Sequence, residues 1–141
     1  MILSTTKKPK KFGLNPKDIL GRMKVSLSKL PAIAVAWGAA AMMDGARKYG
    51  PYNWRDNSVI ASIYVDAAHR HLDLWFEGQR AADDSGVHHL GHVIACAGIL
   101  LDAEATGNLH DDRQKGFEAL EAVFEEIKQN GLVQTKKNAK K

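Results

Sequence analysis

Apolar residues recur at helical spacing along almost the whole chain, and no stretch shows the period-two alternation of a half-buried strand. A first helix is predicted over Pro31–Lys48. Pro31 suits the opening turn, where its fixed φ and missing N–H cost nothing. The run "AIAVAWGAAAMM" is apolar on every side, which predicts a buried helix. Its alanines and Gly38 leave room for neighbouring helices, and Gly50 with Pro51 ends it. The preceding "NPKDILGRMKVSLSKL" reads as a short helix or an arm.

A second helix is predicted over Val59–Glu77, capped by Asn57 or Ser58 and ended by Gly78. Ile60, Ile63, Tyr64, Ala67, Leu74 and Trp75 form an apolar stripe, with Trp75 read as core. Ser62, Asp66, Arg70, Asp73 and Glu77 form a polar one, either a solvated face with pairs such as Asp66–Arg70 or a working surface. The third helix, Val87–Ala105, follows Asp84 or Ser85 as cap and stops at Gly107 and Asn108. The fourth, Arg113–Asn130, follows Asp111 or Asp112, carries Phe117, Leu120, Val123, Phe124 and Ile127 on one face, and closes at Gly131. Helices joined by short connections predict an all-α four-helix bundle. A first helix that is apolar all round needs more partners than one short bundle supplies. A homodimer or homotetramer is therefore expected, with sites near subunit interfaces.

Length and charge refine this picture. The 141 residues suffice for one domain. The net charge of +4 belongs to the ends: Lys7, Lys8, Lys10 and Lys11 at one, Lys136, Lys137, Lys140 and Lys141 at the other. Removing those eight charges leaves −4 for the body. The division is a basic arm over 1–13, one domain over 14–133 and a lysine-rich tail over 134–141. The tails are expected to touch nucleic acid weakly if at all, and the acidic body suits divalent cations. The longest apolar stretch, Pro31–Met43, is too short for a bilayer, so no membrane partner is expected. No apolar segment follows the N-terminal charges, and the single Cys96 excludes an intramolecular disulfide; both favour the cytoplasm.

Five of the six histidines lie between His69 and His92. A short connection makes the second and third helices antiparallel neighbours. Asp73 and Glu77 then lie near His88, His89 and His92, with Asp83 and Asp84 in the turn between. Such oxygen-rich donors suit Mg²⁺ or Mn²⁺, and imidazoles tilt the choice towards Mn²⁺ or Zn²⁺. The alternative reading makes His89 and His92 core histidines bonded to carbonyls, and His69 and His88 exposed bystanders. A phosphohydrolase built on a His-Asp doublet is excluded: the doublet His110-Asp111 lies in a loop, and no aspartate follows Asp112. Cys96, among Val93, Ile94, Ile99 and Leu100, reads as an inert buried thiol.

The segments "DGARKYGPYNWR" (44–55) and "RHLDLWFEG…DDSGVHHLGH" (70–92) resemble a phage and bacterial family of small helical proteins. That family is a branch of the MazG-like all-α nucleoside triphosphate pyrophosphohydrolases. It includes the MazZ-type dGTP/dATP enzymes of phages that build 2-aminoadenine into DNA. The resemblance covers roughly Leu30 to Asp102. It departs after Gly78, where the family continues with acidic residues and this chain has Gln79, Arg80, Ala81 and Ala82. The resemblance implies conversion of a purine dNTP to dNMP and pyrophosphate with Mg²⁺ or Mn²⁺. It implies Glu77, Asp84 and His89 as catalytic residues, and Glu77, Asp84, His89 and His92 around the metal. It further implies Lys48, Arg55 and Arg70 for the phosphates, Asn53 and Trp54 for the base, and His71 in the substrate site. The alternatives are a non-catalytic helical phage protein that binds nucleic acid through its tails, and an inactive nucleotide-binding sensor.

Overall fold

The computed structural model describes residues 11, 13 and 15–131. Most of the basic arm and the whole lysine-rich tail lie outside them. Six helices and two very short strands follow in the order α1 (Pro16–Arg22), α2 (Ala32–Tyr49), α3 (Asn53–Asp56), β1 (Val59–Ile60), α4 (Ala61–Phe76), α5 (His89–Thr106), β2 (Leu109–His110) and α6 (Phe117–Gln129). A 3₁₀ turn at Leu27–Lys29 separates α1 from α2. The all-α expectation holds, and three of the four long helices lie within two residues of their predicted ends, α6 starting four residues late.

The packed unit is α2, α5 and α4, with α5 in the middle. Small residues set how closely they approach. Gly91 of α5 lies against the backbone of Trp37 in α2, so near that a Cβ there would stand 2.6 Å from the Trp37 carbonyl oxygen. Around this contact Ala41, Val87 and Ala95 are buried, with Trp37, Ala40 and Met42 packed on them. At the other end β1 and β2 pair in parallel, Val59 with Leu109 and Ile60 with His110. The Val59 N–H donates to the Asn108 carbonyl at 2.9 Å, which ties the start of α4 to the end of α5.

Several expectations are corrected. α2 is not buried all round in a single chain: its buried residues are Gly38, Ala41 and Asp44, while Ile33 and Met43 are largely exposed. Trp75 is also exposed, because α4 turns Tyr64, Ala67 and His71 inward instead. α6 has no buried residue and stands off the three-helix unit with Phe117, Leu120, Val123 and Phe124 exposed.

The caps differ too. α4 begins without a cap from Asn57 or Ser58. Asp112, fifty residues on, accepts from both the backbone N–H and the hydroxyl of Ser62, and so caps α4 from a distance. Asp111 holds the Arg113 backbone and guanidinium, and α6 opens at Gly116. α5 is capped by neither Asp84 nor Ser85. His88 does this through Nδ1, which accepts from the Leu90 N–H at 3.1 Å, and its ring packs on Trp37. It is no bystander.

Candidate active site

A cleft of about 220 Å³ opens between α2, α3, α4 and α5. Its apolar wall is Ala41, Tyr64, Ala95 and Ile99; its polar wall is Asp44, Lys48, Asp84, His71 and His92. Helical spacing explains the first pair, since Asp44 and Lys48 share a face of α2 at i,i+4. Asp84 reaches the cleft from the tight turn between α4 and α5, which is closed by the bond from Ala82 N–H to the Val87 carbonyl at 3.0 Å.

Lys48 is the hub. Its Nζ lies 2.8 Å from Asp44 Oδ2 and 2.8 Å from Asp84 Oδ2, which joins α2 to the turn. Asp44 is buried and also pairs with Arg47. The bond to Lys48 holds the Asp44 carboxyl below the usual range, against the opposing effect of burial. The same ammonium lowers Asp84. In return Asp44 first, then Asp84, raise Lys48 well above its ordinary value. These four side chains carry no net charge together, so the cleft presents a fixed cation without an excess of positive charge.

The histidines complete the polar wall. His71 and His92 stack with ring centroids 4.3 Å apart and planes 12° from parallel. His71 Nδ1 lies 2.9 Å from Nδ1 of His89, a fully buried residue whose Nε2 is 3.0 Å from Gln79 Oε1. His92 Nε2 is 3.2 Å from Ser85 Oγ. Burial, and then the neighbouring His92 and His89, push His71 down to about 4. Burial lowers His92 too. Cys96 lines the cleft as a free thiol raised by burial, in keeping with an inert group.

The depressed His71 value makes stability depend on pH. Between the ordinary value of 6.5 and the folded value of about 4, the unfolded chain binds a proton that the folded chain does not. This contribution is present above pH 6.5 and is lost as the pH falls towards 4. The melting temperature is expected to drop across that window, and His71→Phe is expected to flatten the drop, with a remainder from His92. Equal slopes in the wild type and the variant would remove His71 as the cause.

Of the residues expected from the sequence, Lys48, Asn53, Trp54, His71, Asp84 and His92 line this cleft. Glu77, His89, Arg55 and Arg70 do not. Glu77 is exposed at the C-cap of α4. Arg70 is exposed on α4, and the expected Asp66–Arg70 pair is not formed among the described residues. Arg55 is committed elsewhere: its guanidinium makes two bonds to Asp102, at 2.8 and 2.6 Å, and Trp54 Nε1 donates to the same carboxylate at 2.7 Å. That arrangement orients the indole at the cleft edge. It also leaves Lys48 as the cation among the described residues that line the cleft.

Asp44, Ser85, Gln79 and Asp102 were given no site role from the sequence, where Ser85 was read only as a helix cap and Gln79 only as a departure from the resemblance. Asp44 had a signal, as the one acid on an otherwise apolar helix, four residues before a lysine. Gln79 and Asp102 act through partners ten and about fifty residues away, which spacing does not reveal.

A resident metal ion is not matched by this donor set. Among the described residues no three His, Cys, Asp or Glu side chains are grouped to hold one. Glu77 is outside the cleft, both ring nitrogens of His89 are engaged, and the carboxylates of Asp44 and Asp84 converge on an ammonium.

Residues 15–113 match the family described as "dATP/dGTP diphosphohydrolase, N-terminal". The chain belongs to this dATP/dGTP diphosphohydrolase N-terminal family. The match contains the whole cleft, from Ala41 to Ile99, and stops before α6. It agrees with the MazG-like, all-α resemblance drawn from residues 44–55 and 70–92. No curated protein and no solved structure matches the chain. Among the described residues, no helix of this diphosphohydrolase-family chain is long and apolar enough to cross a membrane.

Proposed function

We propose that the chain hydrolyses a purine deoxynucleoside triphosphate, dGTP or dATP, to the monophosphate and pyrophosphate. The carrying observation is the family match laid over a cleft lined by one lysine held between two carboxylates and by a stacked pair of histidines. Water attacks the α-phosphorus, the bond from that phosphorus to the α–β bridging oxygen breaks, and pyrophosphate leaves with that oxygen. Lys48 meets the polyphosphate and takes up charge as it develops. Trp54, fixed by Asp102, offers an aromatic face at the cleft edge for the base.

The charged side chains that line the cleft, Asp44, Lys48 and Asp84, sum to −1, so a triphosphate needs further cations. We assign this role to Mg²⁺ or Mn²⁺ arriving on the nucleotide, as part of the substrate. The cleft is smaller than the ~300–1,000 Å³ usual for small-molecule sites, so another surface must cover the rest of a nucleotide. The exposed apolar residues of α2, α4 and α6 suit a second copy of the chain for that purpose. Remodelling of a phage nucleotide pool, as in the 2-aminoadenine route, is the biological setting that fits.

Two observations favour a second reading, a nucleotide-binding sensor without turnover: the acids expected after Gly78 are replaced, and among the described residues no three His, Cys, Asp or Glu side chains are grouped to hold a metal. Incubation with each dNTP and Mg²⁺ or Mn²⁺, followed by separation of products, distinguishes the two. Monophosphate and pyrophosphate in equal amounts are expected from the purine nucleotides. Calorimetric binding of dGTP with no product would favour the sensor, and neither binding nor product would remove both readings.

A further inference from the structure

Gln79 stands where the resemblance leads one to expect an acid, and its amide makes two bonds that no carboxylate makes together. Its Nε2 donates to Asp83 Oδ1 at 3.0 Å, and its Oε1 lies 3.0 Å from His89 Nε2. The Asp83 carboxylate only accepts, so the amide is oriented with its oxygen towards His89. His89 Nε2 must then carry a hydrogen and donate. A neutral imidazole has one N–H, which leaves His89 Nδ1 bare. The partner of that nitrogen is His71 Nδ1 at 2.9 Å, which must therefore carry its own hydrogen. His71 Nε2 is left with a lone pair.

That nitrogen has no partner among the described residues, and no unpartnered side-chain nitrogen or oxygen is sealed inside them. His71 lines the cleft, and His92 stacked on it fixes the plane of the ring. We propose that Gln79 is a positioning residue that, through His89, locks the His71 proton on Nδ1 and so presents Nε2 to the cleft as a standing acceptor for an N–H or O–H of the bound nucleotide. The ligand half of this proposal rests on reading the cleft as a nucleotide site.

With its one hydrogen held on Nδ1 by His89, His71 meets the cleft with a lone pair, so its role is to accept a hydrogen bond. Ionised phosphate oxygens are also acceptors and would be repelled. The nucleoside end, with its base N–H groups and its 3′-hydroxyl, supplies donors. The cleft is thereby polarised, with Lys48 at the phosphates and His71 at the nucleoside.

The test is long-range ¹H–¹⁵N spectroscopy of the full chain labelled with ¹⁵N-histidine, which reports which ring nitrogen bears the proton. The expected pattern is His89 protonated on Nε2 and His71 on Nδ1. Gln79→Ala is expected to average the tautomers of both rings, and Gln79→Glu, which keeps an acceptor, to restore them. A wild-type His71 protonated on Nε2, or a Gln79→Ala pattern identical to wild type, would overturn the positioning role.

Addition of dGMP is expected to shift the His71 Nε2 signal. Among its dideoxy analogue and dIMP, the one that leaves the signal unmoved identifies the donor as the 3′-hydroxyl or the guanine amino group, and a shift with both assigns it to the guanine N1–H. Calorimetric binding of dGMP with no shift would overturn the acceptor role. Correct tautomers with no nucleotide bound would instead overturn the nucleotide-site reading and leave the positioning role standing.

Discussion

Gly91→Ala is expected to destabilise the protein more than any other single methyl group added to its helices, by about 1–3 kcal/mol or more. A Cβ at 91 would stand 2.6 Å from the Trp37 carbonyl oxygen and 3.0 Å from its carbonyl carbon. Both belong to the backbone of α2, which cannot rotate aside as a side chain can. α2 and α5 would have to separate, and this is the interface that buries Ala41, Val87 and Ala95 and forms two sides of the cleft. Two neighbouring glycines serve as controls. At Gly38 the obstacle is the Ile94 Cγ2 at 2.8 Å, a methyl on a side chain that is 37% exposed rather than a backbone atom, so a smaller loss is expected. At Gly98 nothing lies within 4 Å, and alanine there is expected to stabilise the helix by about 0.5–1 kcal/mol. Thermal melts of the three variants decide the matter. A fall of roughly 5–15 °C is expected for Gly91→Ala, and a midpoint equal to wild type would show that the close approach is not a constraint.

Helical periodicity made α2, α4 and α5 legible, because each has an apolar repeat and a glycine or proline stop. It could not say which apolar residues are buried. α2 and α5 meet through Gly91, Ala41 and Ala95, so the larger Ile33 and Met43 are left outside. An all-apolar run looks the same whether its bulky residues face the same chain or a second copy. The site was half legible for a related reason. Counting acids near the histidines selected Glu77, which is the C-cap of α4 and faces solvent. Asp44 lay far from them in sequence and reaches His92 only because α2 folds back on α5. Lys48–Asp84, Ser62–Asp112 and Trp54–Asp102 join residues 36, 50 and 48 positions apart. Such pairs depend on how the helices are docked, and local spacing carries no record of that.

Lys48→Met is expected to lower turnover of dGTP on the order of 100-fold or more, the usual scale for removing one group that stabilises developing charge. Lys48 is the cleft's cation, since Arg55 is tied to Asp102 and Arg47 to Asp44 with its head group largely exposed. Its loss should leave the fold standing. Asp44 keeps Arg47, and Asp84, with a side chain 67% exposed, is hydrated on its own. Lys48→Arg is a stricter probe. A guanidinium keeps the charge but is planar and broader, so it cannot take the same place between two carboxylates each 2.8 Å from a compact ammonium. An intermediate loss is therefore expected. The charge state of this clamp is constant over the working range. Lys48 is raised and remains protonated beyond its ordinary 10.5, while Asp44 and Asp84 are lowered and remain ionised below 3.8. Any change in rate between pH 4 and pH 10 must come from other groups, of which His71 and His92 are nearest. Measurement of kcat/KM beside a thermal melt separates the two roles of Lys48. A folded Lys48→Met variant that turns over within threefold of wild type would make the lysine a strap between α2 and the turn, with no part in the reaction.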